Sequence, residues 1–221
     1  MQKRDKVQLI HDTGIIAIMR ANSSDQLIAA ADAIRLGGVR VIEVTMTTPD
    51  ALMVIEKAVT QFGDEVLFGA GSVLDSETAR QAILSGAGFI VAPTLNIQTI
   101  DICHRYSIPV APGCFSPNEI LAAWNAGADV VKVFPSDIGG PKYIKAIHGP
   151  LPNIDLIPVG GVTLLTTSDY IIAGSFAVGI GSDLINQKLF EKGDMTELTQ
   201  KASAFIKEVQ RGRNLILSQE Y

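Results

Sequence analysis

Cysteine and histidine are scarce in this sequence, which contains two cysteines and three histidines. Cys103 and Cys114 lack the spacing of a CxxC pair, and two thiols cannot build the disulfide framework of a small secreted domain. His11, His104 and His148 lie far apart in the sequence, so the usual spacing of metal ligands is absent. We therefore expect a protein of the reducing cytoplasm that binds no metal and no other cofactor.

Long apolar runs and an excess of basic residues are missing as well. No apolar run approaches the ~18 residues that span a membrane. None follows the charged N-terminal residues 1–7, so we expect neither a membrane segment nor a signal peptide. The formal net charge is −5 and the largest basic cluster is the pair Lys3-Arg4, which argues against a nucleic-acid partner. A small anion can still be bound, because a few local groups suffice for such a site.

The sequence does contain a regular alternation of short apolar runs and amphipathic segments. The apolar runs predict eight strands, at residues 14–20, 39–46, 66–72, 89–94, 109–114, 130–136, 156–162 and 177–184. The amphipathic segments predict helices at residues 5–11, 24–36, 49–61, 75–85, 97–106, 117–126, 140–148, 165–172 and 195–208. Helix starts such as Ser116-Pro117 and helix ends such as Leu36-Gly37 carry the usual capping residues.

The spacing of these elements predicts the fold. Strand starts lie 20 to 27 residues apart, and each strand is followed by a helix. Eight such units in about 200–250 residues are typical of a (β/α)8 TIM barrel. An open doubly wound sheet is the alternative, but it usually has fewer strands. Since no linker divides the chain, we predict one barrel domain over residues 1–221, with an extra N-terminal helix closing its bottom.

Three ionisable residues interrupt or end the predicted strands: Arg20, Glu43 and Lys132. An unpaired buried charge costs on the order of several kcal/mol, so each needs a partner or a task. Glu43 lies in the second strand and Lys132 in the sixth, which face each other across an eight-stranded barrel. Burial and a nearby Arg20 would lower the pKa of Lys132 and increase its nucleophilic fraction. The alternative is a Lys–Glu ion pair with a purely structural role.

Glycines end the last two predicted strands. Gly160 and Gly161 end the seventh strand, and Gly181 and Ser182 end the eighth. In such barrels the loops after these two strands commonly hold a phosphate group, with backbone N–H groups and hydroxyls as donors. Two tight turns without a ligand are the alternative, but glycines in both of the relevant loops favour a phosphate site.

The third and fourth strands end in Gly69-Ala70-Gly71-Ser72 and Pro93-Thr94. The first motif lacks the third glycine of a dinucleotide-binding fingerprint, so a Rossmann fold is not indicated. Ser72, at the strand tip, is instead a candidate hydrogen-bond donor to a substrate carboxylate. Pro93 is expected to shape the pocket.

Over nearly the whole chain, the sequence resembles the 2-keto-3-deoxy-6-phosphogluconate (KDPG) and 4-hydroxy-2-oxoglutarate (KHG) aldolases and their 2-keto-3-deoxy-6-phosphogalactonate (KDPGal) relatives. The segments that carry the resemblance are Ile42-Glu43-Val44-Thr45, Gly69-Ala70-Gly71-Ser72, Val91-Ala92-Pro93, Ala111-Pro112-Gly113, Val131-Lys132-Val133-Phe134-Pro135, Gly160-Gly161-Val162 and Gly181-Ser182. The resemblance implies a homotrimeric, metal-independent class I aldolase of sugar-acid catabolism, as in the Entner–Doudoroff pathway.

The resemblance also implies roles for individual residues. Lys132 would form the Schiff base, and Glu43 would be the general acid and base. Ser72 would bind the substrate carboxylate. The phosphate group would be held by Gly160, Gly161, Gly181 and Ser182. Further substrate contacts would come from Arg20, Thr47, Pro93, Phe134 and Val159.

Two positions depart from the family pattern. Thr47 stands four residues after Glu43, where some members carry an Arg that helps to hold the substrate carboxylate. Arg20, which members without that Arg share, would take this role. Val159 precedes the glycine pair, where many gluconate-type members have Thr. It resembles the galactonate-type enzymes, so both C4 epimers remain candidate substrates.

The implied reaction is cleavage of KDPG or KDPGal to pyruvate and glyceraldehyde 3-phosphate. Cleavage of 4-hydroxy-2-oxoglutarate to pyruvate and glyoxylate is a further candidate activity. Two alternatives stay open at this point. One is a phosphosugar epimerase or isomerase of the same fold, in which Lys132 and Glu43 act without covalent chemistry. The other is a catalytically silent phosphosugar-binding protein.

Overall fold

A computed structural model describes residues 1–20, 23–185 and 194–218. The helices are α1 (Lys3–Thr13), α2 (Ser24–Leu36), α3 (Ala51–Phe62), α4 (Ser76–Leu84), α5 (Ile97–Arg105), α6 (Pro117–Asn125), α7 (Gly140–His148), α8 (Thr167–Ile172) and α9 (Met195–Leu217). The strands are β1 (Ile15–Met19), β2 (Val41–Thr45), β3 (Leu67–Gly71), β4 (Ile90–Val91), β5 (Val110–Ala111), β6 (Gly113–Cys114), β7 (Val131–Val133), β8 (Leu156–Pro158) and β9 (Val178–Ile180). Short 3-10 helices lie at Gly63–Glu65 and Ser136–Ile138.

The strands form an α/β fold with a curled, all-parallel sheet. Six strands follow the order β5-β4-β3-β2-β1-β9, and three follow the order β6-β7-β8. Pro112 separates β5 from β6, because proline has no backbone N–H to donate to a ladder. Between β8 and β9, which end the two sheets, an isolated parallel bridge joins Val159, after β8, to Gly179 on β9. The hydrogen-bonded ladder is therefore not the uninterrupted eight-stranded ring that the sequence predicts.

The predicted strands and helices are present, with shifted ends. Helices α2 and α7 have the predicted bounds, and the strands are shorter than predicted, since strand periodicity does not mark where pairing stops. The last helix continues to Leu217 instead of ending near residue 208. Gly212 lies within this helix and faces α8. A Cβ at this position would come within 2.9 Å of the Ile171 side chain on α8. This glycine allows α9 to pack closely against α8.

Two separate apolar clusters make up the core. The larger one lies between the sheet and the surrounding helices. The smaller one lies on the concave side of the sheet and consists of Ile10, Ile16, Val41, Leu67, Phe89, Val91, Ala111, Val130, Ile157, Val159 and Ala177. Ile10 comes from α1, so this helix covers the amino ends of the strands, as predicted for the extra N-terminal helix.

The concave side also receives the two candidate catalytic side chains. Alternate residues of a strand point to the same face. Val41 and Val130 belong to the inner apolar cluster. Glu43 lies two residues after Val41, and Lys132 lies two residues after Val130. Both side chains therefore point to the inner face, one layer closer to the carboxyl ends of the strands.

In the part of the chain that is described, no helix is long and apolar enough to cross a bilayer. Cys103 and Cys114 are free and buried, and burial raises the pKa of each thiol to about 12. Thiols with such pKa values are poor nucleophiles at neutral pH.

Candidate active site

Glu43 on β2 and Lys132 on β7 are buried, with exposed fractions of 2% and 6%. In the strand register, Glu43 lies opposite Gly69 on β3, and Lys132 lies opposite Gly113 on β6. Glycine has no side chain, and the space that a side chain would take is filled by the Phe89 ring at Gly69 and by the Pro93 backbone at Gly113. The predicted convergence of Glu43 and Lys132 inside the sheet agrees with this arrangement.

Burial is the dominant influence on both groups. It raises the pKa of the Glu43 carboxyl, while the positive charges of Lys132 and Arg20 act in the opposite direction. It lowers the pKa of the Lys132 amine, and Arg20 lowers it further, whereas the Glu43 carboxylate acts against both. Desolvation penalises the charged form of either group. Burial therefore increases the neutral, nucleophilic fraction of Lys132 and the protonated fraction of Glu43.

The Phe134 ring lies between the Lys132 amine and the open cavity. The Nζ atom of Lys132 lies 4.9 Å from the centroid of the Phe134 ring. The Phe134 side chain is 38% exposed, so it forms part of the wall of the open cavity beside the lysine. An aromatic face at this distance stabilises the ammonium form to a small extent and provides an apolar surface beside the amine.

A cavity of about 350 Å³ lies at the carboxyl ends of β1, β8 and β9. Such a volume suits a small organic ligand. Seven of the residues predicted from the sequence line it, namely Arg20, Phe134, Val159, Gly160, Gly161, Gly181 and Ser182. The structure thus brings the predicted phosphate loops and the Arg20 guanidinium together around one cavity.

The loops around this cavity offer unpaired hydrogen-bond donors. Among the residues that the structure describes, the backbone N–H groups of Gly161, Gly181 and Ser182 have no protein acceptor. Gly160 and Gly161 have φ angles of 96° and 69°, a conformation that glycine adopts most readily. Clustered backbone N–H groups of this kind form concave sites for anions. The chemistry of the cavity therefore matches a phosphate group.

Two polar residues of the cavity were not predicted as site residues from the sequence. Thr163 and Asp183 both line it. Asp183 accepts a hydrogen bond from the Leu164 N–H at 2.9 Å, which ties the loop after β8 to the loop after β9. Lys201 on α9 donates to the Asp183 backbone oxygen at 3.2 Å. The signal that could have indicated Asp183 is its position directly after Gly181-Ser182.

The buried side chains of Glu43 and Lys132 are not part of the lining of this cavity, and three predicted substrate contacts also lie outside it. Ser72 follows β3 with a φ of 57°, and Pro93 is half-buried after β4. Thr47 is exposed, and its hydroxyl lies 2.9 Å from the hydroxyl of Thr45, the last residue of β2. The structure places these residues at the carboxyl ends of β2, β3 and β4, on the side of the site that is nearer to Glu43.

Comparisons with known proteins address the family directly. A family model described as KDPG and KHG aldolase matches residues 7–201. The chain is 36% identical over 195 residues to 2-dehydro-3-deoxy-6-phosphogalactonate aldolase of Escherichia coli K12, covering 87% of this chain and 93% of that protein. This chain belongs to the KDPG and KHG aldolase family. The family predicted from the sequence, and with it an aldolase, is confirmed.

Solved structures of family members have the same fold. A structure described as native KDPGal is 33% identical, with a TM-score of 0.85 over 90% of this chain and 96% of that one. A KDPG aldolase from Legionella pneumophila, with pyruvate captured as a covalent carbinolamine, is 25% identical with a TM-score of 0.85 over 93% and 98% of the chains. A carbinolamine precedes imine formation, so covalent chemistry with pyruvate occurs in that protein.

Proposed function

We propose that this protein is a class I aldolase in which Lys132 forms a Schiff base with a phosphorylated 2-keto-3-deoxy sugar acid. The observation that carries the proposal is the burial of Lys132 on the inner face of the sheet, where burial and Arg20 lower the pKa of its amine. A neutral amine is the nucleophile that imine formation requires. The neighbouring cavity supplies the donors that a substrate phosphate needs.

The proposed reaction starts with attack of the Lys132 amine on the C2 carbonyl. Glu43 delivers a proton to the carbinolamine hydroxyl, water leaves, and a protonated imine forms. The C3–C4 bond then breaks, its electrons move towards the imine, and Glu43 takes the proton of the C4 hydroxyl as the aldehyde departs. The resulting enamine is protonated at C3, and hydrolysis of the imine releases pyruvate and restores the free lysine.

Each end of the substrate has a proposed binding partner. Arg20 binds the C1 carboxylate, assisted by the Ser72 hydroxyl and the backbone near Pro93 and Thr47. The phosphate group is bound by the loops that contain Gly160, Gly161, Gly181 and Ser182, with the N–H groups of the last three as donors. Phe134 and Val159 contact the carbon chain. Arg20 supports this assignment because it lines the cavity and acts electrostatically on both Lys132 and Glu43.

The galactonate epimer is the proposed preferred substrate. Val159 lines the cavity directly before Gly160 and Gly161, and the proposed binding mode places it beside the carbon chain of the sugar acid. The relative from Escherichia coli, 36% identical, is named for the phosphogalactonate substrate. Comparing kcat/KM for KDPGal and KDPG, and for 4-hydroxy-2-oxoglutarate as the shorter substrate, tests this order. A higher kcat/KM for KDPG would reverse it.

We further propose that the chain forms one closed (β/α)8 barrel. The parallel bridge between Val159 and Gly179 supports closure between β8 and β9. The hydrogen bond from the Lys132 N–H to the Pro112 oxygen, 3.0 Å long, supports continuity across β5 and β6. The inner apolar cluster draws residues from β1, β2, β3, β4, β5 and β8, which also fits a closed interior.

A cytoplasmic homotrimer is the proposed state of the protein. Large apolar side chains remain exposed on the single chain, among them Leu165 at 88%, Ile138 at 70% and Leu36 at 63%. Exposed apolar surface of this kind is often covered by association. Sedimentation equilibrium should give about three times the 23.5 kDa of one chain. A mass of one or two chains would contradict the trimer.

The experiment that tests the aldolase mechanism is chemical trapping. Incubation with pyruvate and borohydride should add one reduced pyruvate unit, and peptide mapping should locate it at Lys132. Lys142 and Lys145, on α7, serve as internal controls within the same digest. EDTA should leave the cleavage rate unchanged. An adduct on a different lysine would refute the role of Lys132, and no adduct at all would favour an epimerase or a silent binding protein.

A further inference from the structure

Ser136 is a buried residue with no role in the site described so far. It lies four residues after Lys132, at the start of the short helix Ser136–Ile138, and only 1% of it is exposed. Its N–H donates to the Val159 oxygen at 2.9 Å, and its hydroxyl donates to the Gly160 oxygen at 2.7 Å. One residue of the loop after β7 therefore holds the loop after β8 by two hydrogen bonds.

Tyr170 on α8 fixes the orientation of the Ser136 hydroxyl. Its ring is 2% exposed, and its hydroxyl lies 3.2 Å from the Ser136 backbone oxygen and 3.3 Å from the Ser136 Oγ atom. Because the Ser136 proton is directed to Gly160, the Ser136 oxygen is free to accept the proton of Tyr170. Buried hydroxyls in such a chain have no access to water, so breaking one bond leaves a partner unsatisfied.

The anchored carbonyl belongs to the peptide that joins the two phosphate-loop glycines. In a trans peptide the C=O of one residue and the N–H of the next point in opposite directions. When Ser136 holds the Gly160 oxygen on the buried side, the Gly161 N–H points to the other side, towards the cavity that both glycines line. Among the described residues this N–H has no protein acceptor, so it is available to a ligand.

Glycine needs such an anchor more than other residues. The φ angles of 96° at Gly160 and 69° at Gly161 lie in a region where glycine has many accessible alternatives. Local sterics therefore do not fix the direction of this peptide. A hydrogen bond from a rigid, buried neighbour does.

We propose that Ser136, held by Tyr170, is a positioning residue that orients the Gly160–Gly161 peptide towards the phosphate group of the substrate. The proposal rests on the function proposed above. Ser136 lies in the loop that directly follows β7, the strand that carries Lys132. It therefore also fixes the distance between the imine-forming amine and the phosphate site. Ser136 thereby contributes to the preference for phosphorylated 2-keto acids over those without phosphate.

The test separates the phosphate end from the amine end. In Ser136→Ala, KM for the phosphorylated substrate should rise about five- to tenfold, the loss expected for one buried hydrogen bond, and kcat should change less. Pyruvate carries no phosphate, so the pyruvate concentration that gives half-maximal borohydride trapping should stay the same. Tyr170→Phe should raise KM in the same direction, and the double variant should be no worse than Ser136→Ala, since the two residues act as one unit.

Ser168→Ala is the matched control. Ser168 is also buried, at 2%, and lies on α8 close to Tyr170, but its hydroxyl has no hydrogen-bond partner among the described residues. The same chemical change there should leave both KM and pyruvate trapping at wild-type values. Thermal unfolding of each variant shows whether the barrel remains intact. Should Ser136→Ala fail to fold, Tyr170→Phe, which keeps the ring, provides the decisive measurement.

Two results would overturn the proposal. One is a KM for Ser136→Ala, or for Tyr170→Phe, that does not differ from that of Ser168→Ala. The other is a parallel rise of KM and of the half-saturating pyruvate concentration, which would mean a general loosening of the site. Failure of the proposed function looks different, because the wild-type protein would then form no pyruvate adduct.

Discussion

Gly71 on β3 lies directly against the carboxylate of Glu43 on β2. A Cβ atom on Gly71 would overlap with the Oε1, Cδ and Cγ atoms of Glu43. In the strand register Glu43 is paired with Gly69, and Gly71 is two residues further along β3. The Glu43 side chain therefore leans along the strand direction, towards the carboxyl ends where the cavity opens. The missing side chain of Gly71 is what leaves room for the proposed acid and base.

We expect Gly71→Ala to impair catalysis by displacing the Glu43 carboxylate. The added methyl group displaces the carboxylate from its position, so kcat should fall by a factor on the order of 10²–10⁴, the usual contribution of a positioned acid or base. Gly149→Ala is the control, because Gly149 has helical φ and ψ angles of −52° and −59° and a Cβ there would meet nothing closer than 3.7 Å. A kcat for Gly71→Ala within a few-fold of that control would refute this link.

The direct test of Glu43 is Glu43→Gln. This change preserves the size of the side chain and its hydrogen bonding but removes the proton acceptor, so kcat should also fall by a factor on the order of 10²–10⁴. Single-turnover trapping with pyruvate should be slowed too, because dehydration of the carbinolamine needs a proton. Wild-type turnover in this variant would leave Glu43 with a structural role only.

The pH dependence of trapping should shift in opposite directions in two variants. Burial lowers the pKa of Lys132, and Arg20 lowers it further, whereas Glu43 raises it. Removing the positive charge in Arg20→Gln should therefore raise this pKa and move the trapping profile to higher pH. Removing the negative charge in Glu43→Gln should lower it and move the profile to lower pH. Initial rates at saturating pyruvate between pH 5 and 10 give both profiles, and shifts of the same sign would contradict the assignment.

The phosphate loops are tested by Gly161→Asp. This variant adds a negative charge beside the proposed phosphate site, and its Cβ would overlap with the Asp137 side chain. It should weaken binding of the phosphorylated substrate by roughly 3 kcal/mol, about a hundredfold in kcat/KM. Cleavage of 4-hydroxy-2-oxoglutarate, which has no phosphate, should change far less. Gly149→Asp is the control for charge alone. A similar loss for both substrates, in a protein that circular dichroism shows to be folded, would make the loops structural.

Much of the site was predictable because its signals are local. A lysine and a glutamate inside apolar strand segments, or a glycine pair at a strand end, can be recognised from a few neighbouring residues, and the bounds of α2 and α7 follow from capping and periodicity. The predicted end of α9, at residue 208, was wrong by nine residues, because the helix continues through Gly212, where it packs against α8. Thr163 and Asp183 were missed because their position in the cavity depends on loop geometry.

The sequence by itself determined the order of strands and helices, the family, and the identity of the buried lysine and glutamate. Only the tertiary structure decided that Thr47 bonds to Thr45 instead of lining the cavity, and that burial outweighs charge at both Lys132 and Glu43. It also decided that Ser136 meets Gly160 and Tyr170, which are 24 and 34 residues away. The physical reason is that helix and strand preferences arise between near neighbours in the chain. Desolvation and hydrogen bonding between distant residues exist only after the chain has folded.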